Sequence, residues 1–377
     1  MKVGYAGRWS PLDKTAWSGI YFQTYQAIQQ QHEVSVFHYH WPWYVRESLI
    51  LHKQLQKLVN KKAAVEFLRG YAKYFSKQLE KDLKGSKADI LFVPAAPQLI
   101  AYCNSRIPII YMADASFYQL QGYYPLFRDI AQYNIDQGIA LDKLAFDKSS
   151  HCMLASEWAK GSVMHDYDIP EQKLTVVPFG ANLEKIPFSD SLKRKPNNCC
   201  QLLFLGVEWE RKGGQIALDC FYQLKKAGID VRLTIIGCVP PVAIIDRQIF
   251  VIPFLNKNNQ EDTEKLYEIM RQTDFLILPT RAECAGIVFC EASAFGIPVI
   301  STDTGGVSSY VQDGINGFTL PLTATADAYA DIILKLYQDT AAYEQLSISS
   351  RNKFESTLNW NHWGQQFNVI ADRIVNQ

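Results

Sequence analysis

The 377-residue sequence carries no net charge, because 38 lysines and arginines are matched by 38 aspartates and glutamates. Nothing global therefore steers it toward nucleic acid or another polyanion. Cys-x-x-Cys pairs are absent: the eight cysteines, at positions 103, 152, 199, 200, 220, 238, 284 and 290, are scattered and most sit in apolar runs. That excludes the usual zinc spacings and reads as reduced packing residues of a cytoplasmic protein. No apolar run approaches the roughly 18 to 20 residues needed to span a bilayer. The start, Met1 to Gly7, enters a short strand-like pattern without the apolar core and cleavage site of a signal peptide, which argues against export. Internal repeats and low-complexity tracts are missing as well.

What is present suffices for large cores. Hydrophobic residues make up 48% of the chain, and its length suggests two domains at roughly 150 residues each. Strand-like runs alternate with helix-like ones throughout: Val34–His38, Ile90–Val93, Ile107–Met112 and Cys152–Ala155, then Leu202–Val207, Val231–Ile236, Phe250–Ile252, Phe275–Leu278 and Pro298–Ser301. This alternation predicts an α/β protein built from two doubly wound, Rossmann-like parallel sheets facing across a cleft. Ala217, Cys220, Phe221 and Leu224 fall at helical spacing, with Gly228 placed as the stop. The polar stretch Phe188 to Asn198, which includes Pro196, is the expected linker, giving domains at 1–188 and 199–360. Residues 361–377 form a candidate amphipathic helix through Trp363, Phe367, Ile370 and Ile374, expected to pack back toward the first domain.

The most informative stretch runs from Phe275 to Pro321. A strand ends at Pro279-Thr280, a loop carries Glu283, and a helical run from Ile287 carries Glu291; a glycine loop at Gly305-Gly306 follows the next strand. Two helix N-termini, near Gly286 and Gly306, should point into one cleft with unpaired amides that suit a phosphate. Eight residues separate Glu283 from Glu291, about 12 Å if fully helical. That exceeds the separation of glycosidase carboxylate pairs, about 9.5 Å at most. It suits two hydroxyl-rich groups flanking a diphosphate. The bland alternative is one capping acid and one solvated acid. Against it, Glu291 lies within Val288-Phe289-Cys290-Glu291-Ala292, where a carboxylate without a partner is costly.

The pattern from Glu283 to Val307 (ECAGIVFCEASAFGIPVISTDTGGV), followed by Asp313 to Phe318 (DGINGF), resembles the donor-site signature of the retaining GT-B glycosyltransferases of family 4. Val177 to Asn182 is similar to that family's crossover segment. The resemblance implies that Glu291 holds the ribose of a nucleoside diphosphate sugar and Glu283 the transferred hexose. The amides of Gly286 and Ile287, with Val288 behind them, would cap the distal phosphate, and Gly305 and Gly306 would line the same pocket. In the loop Gly206 to Gly214, Lys212 and Arg211 are candidates to stabilise the charge left on the departing diphosphate, with Trp209 beside them. A solvated basic turn is the alternative. The sequence departs from the family pattern at Val207, where an arginine is usual, and at Ala285, where many relatives carry phenylalanine.

On the acceptor side, Gly19 follows the long loop Arg8 to Ser18 and resembles a glycine that lets an amide approach the leaving phosphate; an ordinary N-cap is the alternative. Asp114 stands where the family often has a histidine, and otherwise reads as a helix cap. Asp166-Tyr167-Asp168 has a D-x-D form but reads as a turn, and His38 and His40 lack further ligands, so no metal is expected. Residues 45–88 hold eleven basic against four acidic residues, beside the aromatic Trp41 to Tyr44. They read either as the solvated face of a core helix or as a peripheral contact with an anionic membrane. The resulting expectation is a metal-independent, retaining hexosyltransferase that needs no cofactor beyond its nucleoside diphosphate sugar donor and acts on a hydroxyl acceptor. A non-catalytic nucleotide-sugar-binding protein and a GT-B phosphorylase or epimerase relative are the alternatives.

Overall fold

The computed structural model describes residues 1–39, 43, 47–48, 50–52, 54, 61–188, 192, 196 and 198–376. His40, Trp41, Pro42 and Tyr44, part of the basic stretch (Arg46, Lys53 and Lys57), and much of the segment 188–198 lie outside the described residues. The chain forms two compact units, one of Met1–Val177 with Trp363–Gln377 and one of Pro178–His362.

In the first unit, strands β1 (Lys2–Gly7), β2 (Glu33–His38), β3 (Ile90–Pro94), β4 (Ile109–Ala113), β5 (His151–Leu154) and β6 (Leu174–Val176) make one sheet in the order β2-β1-β3-β4-β5-β6. Every neighbour pair is parallel. All residues of β3, β4 and β5 are buried, as expected of parallel strands covered by helices on both faces. The edge strand β6 has only three residues, too few to show a periodicity. The C-terminal helix Trp360–Val375 buries Trp363, Phe367, Ile370 and Ala371, while Ile374 stays half-buried. Trp363 and Phe367 stack with centroids 5.9 Å apart, and both meet Phe92 of β3 edge-on.

The second unit holds β7 (Cys200–Leu205), β8 (Val231–Ile236), β9 (Ile249–Ile252), β10 (Phe275–Leu278), β11 (Val299–Thr302) and β12 (Gly317–Leu320), ordered β12-β11-β10-β7-β8-β9 and all parallel. Strand order reverses between β7 and β10, and ligands of such sheets bind outside the carboxyl ends of the strands at that reversal. β12 escapes the hydrophobic pattern because it opens on Gly317, where a Cβ would lie 1.9 Å from the Val299 carbonyl oxygen. The helix Gly214–Lys226 buries Ala217, Cys220, Phe221 and Leu224, and left-handed Gly228 follows its end.

The units divide between Val177 and Pro178 rather than in the expected linker at 188–198. The reason is local bonding within the second unit. The Phe179 amide donates to the Tyr310 hydroxyl, the Ala181 amide donates to the Leu358 carbonyl, and a Cβ on Gly180 would lie 2.5 Å from the Trp360 nitrogen. Polarity made 188–198 look like a boundary, but backbone hydrogen bonds had already committed the chain before it. Among the described residues, no helix is long and apolar enough to cross a membrane.

Candidate active site

The loops leaving β7 and β10 meet at the strand-order reversal of the second unit, and backbone contact locks them together. Gly213 sits in the left-handed region (φ 72°), and a Cβ there would stand 2.0 Å from the Pro279 carbonyl oxygen. The Arg211 carbonyl accepts from the Arg281 amide at 2.7 Å and from the Thr280 hydroxyl at 3.2 Å. Trp209 is buried, its ring lying against Phe204 and over Gly214, which has room for it only because it lacks a side chain. Trp209 therefore shapes the loop from inside.

This apposition puts Lys212 and Glu283 in direct contact. Lys212 Nζ donates to Glu283 Oε2, and both residues are buried, 9% and 6% exposed. The stem of Lys212 runs over Gly206, where a Cβ would stand 2.9 Å from its Cγ. Arg211 Nη1 donates to the Ala282 carbonyl at 2.9 Å and stands 3.8 Å from Glu283 Oε2, while Nη2 pairs with Glu208 at 3.0 Å. The Arg211 hydrogen bond holds the Glu208 carboxyl below its ordinary range. Two cations and two carboxylates thus balance at the carboxyl ends of β7 and β10. Removing a buried pair from water is expensive and seldom justified by stability alone.

Glu283 lies in the loop before the helix Ile287–Ala294, so the fully helical separation from Glu291 does not apply. Gly286 caps that helix without a side-chain bond, and the Phe289 ring occupies the space where its Cβ would be. Ile287 and Val288, both half-buried, form the first turn, whose amides have no intrahelical acceptor. Near Gly306 the expected second helix N-terminus is only a three-residue 3₁₀ turn, Val307–Ser309. The Gly306 amide donates to the Glu283 carbonyl at 2.9 Å, so this glycine holds Glu283 in place rather than offering its amide to a ligand. Gly305 supplies the left-handed bend (φ 56°) ahead of it.

Glu291 is 1% exposed, and its partner is Lys257, whose Nζ stands 2.5 Å from Oε1. The need for a cation was visible in the apolar surroundings of Glu291; which cation was not, since Lys257 lies in another loop with no local motif. The charge of Glu291 adds to burial in pushing the neighbouring Cys290 thiol well above its ordinary range. A separate cavity of about 190 Å³, lined by Gln201, Arg232, Thr234 and Gln272 among others, sits at the opposite, amino-terminal ends of β7 and β8.

The same stretch of chain matches the model of a known family, described as glycosyl transferases group 1, over residues 200–339. Over those residues the chain is similar to glycosyl transferases group 1. Among curated proteins, D-inositol 3-phosphate glycosyltransferase of Paenarthrobacter aurescens is 26% identical over 204 residues, covering 50% of this chain and 49% of that protein. The chain spans about half the length of several curated relatives it matches. Among solved structures, sucrose-phosphate synthase from Thermosynechococcus elongatus superposes with a TM-score of 0.69 at 14% identity, covering 99% of both chains. Anabaena HepE in complex with UDP and glucose gives 0.65 at 17% identity, covering 100% of both. The fold is GT-B, with two parallel six-stranded sheets.

Two sequence-predicted residues lie outside that matched stretch, in the first unit. Gly19 (φ 87°) caps the helix Ile20–Gln29 and ends a left-handed run with Trp17 (φ 47°) and Ser18 (φ 55°). Trp17 and Ser18, two consecutive non-glycine residues in that region, store strain of the kind found at functional loops, whereas Gly19 adopts it freely. The loop leaves β1, where the first sheet reverses its strand order. Arg8 there pairs with Glu66 and lies 4.5 Å over the Trp9 ring, and burial lowers its pKa to about 10. Neither member of this ion pair was singled out from sequence. Asp114 is half-buried after β4, but the cap of the next helix is Ser116, in a capping box with Gln119, so the capping role does not fall to Asp114. Asp166 and Asp168 occupy the turn after the helix Glu157–His165, Asp168 at φ 52°.

Proposed function

We propose that the protein is a retaining glycosyltransferase that moves a hexose from a nucleoside diphosphate sugar to a hydroxyl acceptor. The observation that carries this reading is the buried Lys212–Glu283 pair at the strand-order reversal of the second unit. In this reading the bond from the anomeric carbon to the diphosphate oxygen breaks while a bond to the acceptor oxygen forms on the same face. The acceptor proton passes to a phosphate oxygen. Lys212, helped by Arg211, stabilises the charge growing on the leaving diphosphate, work that a divalent ion does in other transferases. Glu283 orients the hexose hydroxyls, Glu291 the ribose, and the open turn at Gly286, Ile287 and Val288 receives the distal phosphate. By resemblance, the Gly19 amide approaches the leaving phosphate and Asp114 stands in for the family's histidine near the acceptor or donor sugar. The UDP and glucose bound to Anabaena HepE support a nucleotide-sugar donor.

For a partner surface, the helix Arg69–Leu83 presents exposed Arg69, Lys73, Lys77 and Lys81 at four-residue intervals. Its apolar side, Ala72, Phe75, Leu79 and Leu83, is spent on the core. Contact of this helix with an anionic membrane would therefore be electrostatic and salt-sensitive. The assignment is tested by titrating UDP-, GDP- and ADP-sugars in a thermal-shift panel and then assaying donor hydrolysis and transfer. Turnover supports the enzyme; binding without turnover favours a sugar-nucleotide sensor, and no binding to any donor removes both.

A further inference from the structure

We infer that Lys257 is a displaceable counter-ion that closes the Glu291 carboxylate while the site is empty and yields it to the ribose hydroxyls of the nucleotide. The inference rests on the nucleoside diphosphate reading of this site. Its basis is the asymmetry of the pair: the Glu291 side chain is 2% exposed, whereas that of Lys257 is 44% exposed. The lysine is thus the member facing solvent, and a diol approaching the carboxylate must move it.

The loop is built for that movement. Lys257 follows β9, and its backbone is tied to the first turn of the helix Gln260–Gln272. Its carbonyl accepts from the Thr263 hydroxyl at 3.1 Å, and the preceding Asn256 amide donates to Asp262 at 2.9 Å. The Cα is pinned while the four-carbon stem reaches out to Glu291, an arrangement that lets the ammonium swing without refolding the loop. Glu291 has no such freedom, being set in the second turn of a buried helix. An ionised carboxylate in that position needs a cation when no ligand supplies hydrogen bonds. Lys257 meets the need at the cost of competing with the ligand.

The test is calorimetric titration of UDP, GDP and ADP into the wild-type protein, K257M and K257R, repeated with the 2′,3′-dideoxy form of each nucleotide that binds. K257M should bind the ribose nucleotide about two- to fivefold tighter, the range set by a half-exposed ion pair. Dideoxy affinity should stay unchanged, K257R should behave as wild type, and the gain should vanish in an E291Q background. Weaker binding of the ribose nucleotide by K257M, or an equal change for both forms, overturns the displacement while leaving the nucleotide reading intact. If no nucleoside diphosphate binds the wild type, the nucleotide reading falls and this inference with it. Should K257M not fold, K257Q answers the same question.

Discussion

Lys212 and Glu283 form a pair whose removal should separate stability from function. Their side chains are 11% and 8% exposed, so deleting either charge strands the other where water cannot reach it. Breaking such a pair typically costs 3–5 kcal/mol. Arg211, 3.8 Å from Glu283, offers the carboxylate a second cation, which puts K212M near the lower end, at about 3 kcal/mol. E283Q removes the carboxylate that Lys212 bonds directly, leaving only the weaker attraction of Glu208, and should cost about as much. The double variant K212M/E283Q removes both charges together and should return to within about 1 kcal/mol of wild type. For a unit the size of Pro178–His362, each single loss corresponds to a melting shift of roughly 6–12 °C. Differential scanning calorimetry of the four proteins reads the cycle directly, and donor hydrolysis is measured on the same samples. Recovered stability with lost turnover in the double variant identifies a pair kept for chemistry. Additive melting shifts would show that the two side chains do not stabilise each other, and full activity in the double variant would remove them from the reaction.

Replacing Gly213 by alanine forces a side chain into a left-handed backbone and against the Pro279 carbonyl, so G213A should lose more than about 1 kcal/mol and unlock the two site loops, seen as a lower melting temperature with impaired donor binding. Burial pushes the Asp142 carboxyl up to about 7, where it accepts from the Phe117 amide at 2.6 Å. The folded protein therefore holds this proton more tightly than the unfolded chain, and the group's contribution to stability falls as pH rises from about 4 to 7. D142N should raise the melting temperature at pH 8, with the gain shrinking toward pH 5. His151 behaves oppositely: burial lowers its pKa to about 4, and the neutral ring accepts from Arg373 at 3.0 Å. Stability from this contact is lost as pH falls from about 6.5 to 4, and H151N should flatten that limb of the pH–melting curve. Anionic vesicles should co-sediment the protein at low salt and release it at high salt, with K73E/K77E abolishing capture; capture of that variant would move the contact away from the helix Arg69–Leu83.

The second sheet was the more legible because β10 is a short continuous apolar run and β8 alternates apolar with polar residues, and both have the bounds that the hydrophobic pattern gives. β6 and β12 were hidden, one by its three-residue length and the other by an opening glycine chosen for close approach to Val299. At the site, sequence located Lys212, Arg211, Glu283 and Glu291 and placed Glu283 in a loop ahead of a helix from Ile287, which is where the helix starts. The use of the Gly306 amide to hold the Glu283 carbonyl is decided by backbone geometry, which residue types alone do not encode. Lys257 marks the same limit from the other side. Burial says that Glu291 requires a cation, yet the lysine that answers arrives from a loop 34 positions earlier in the chain.

The return of the C-terminal helix to the first unit makes that unit discontinuous in the chain. During synthesis, the ribosome delivers the whole of Pro178–His362 before Trp363 and Phe367 emerge to cover Phe92. The second unit can therefore mature as an uninterrupted segment, whereas the earlier-made first unit keeps an unfinished aromatic seam until Trp363 and Phe367 have been made. A nascent chain stalled before Trp363 should display that seam to chaperones.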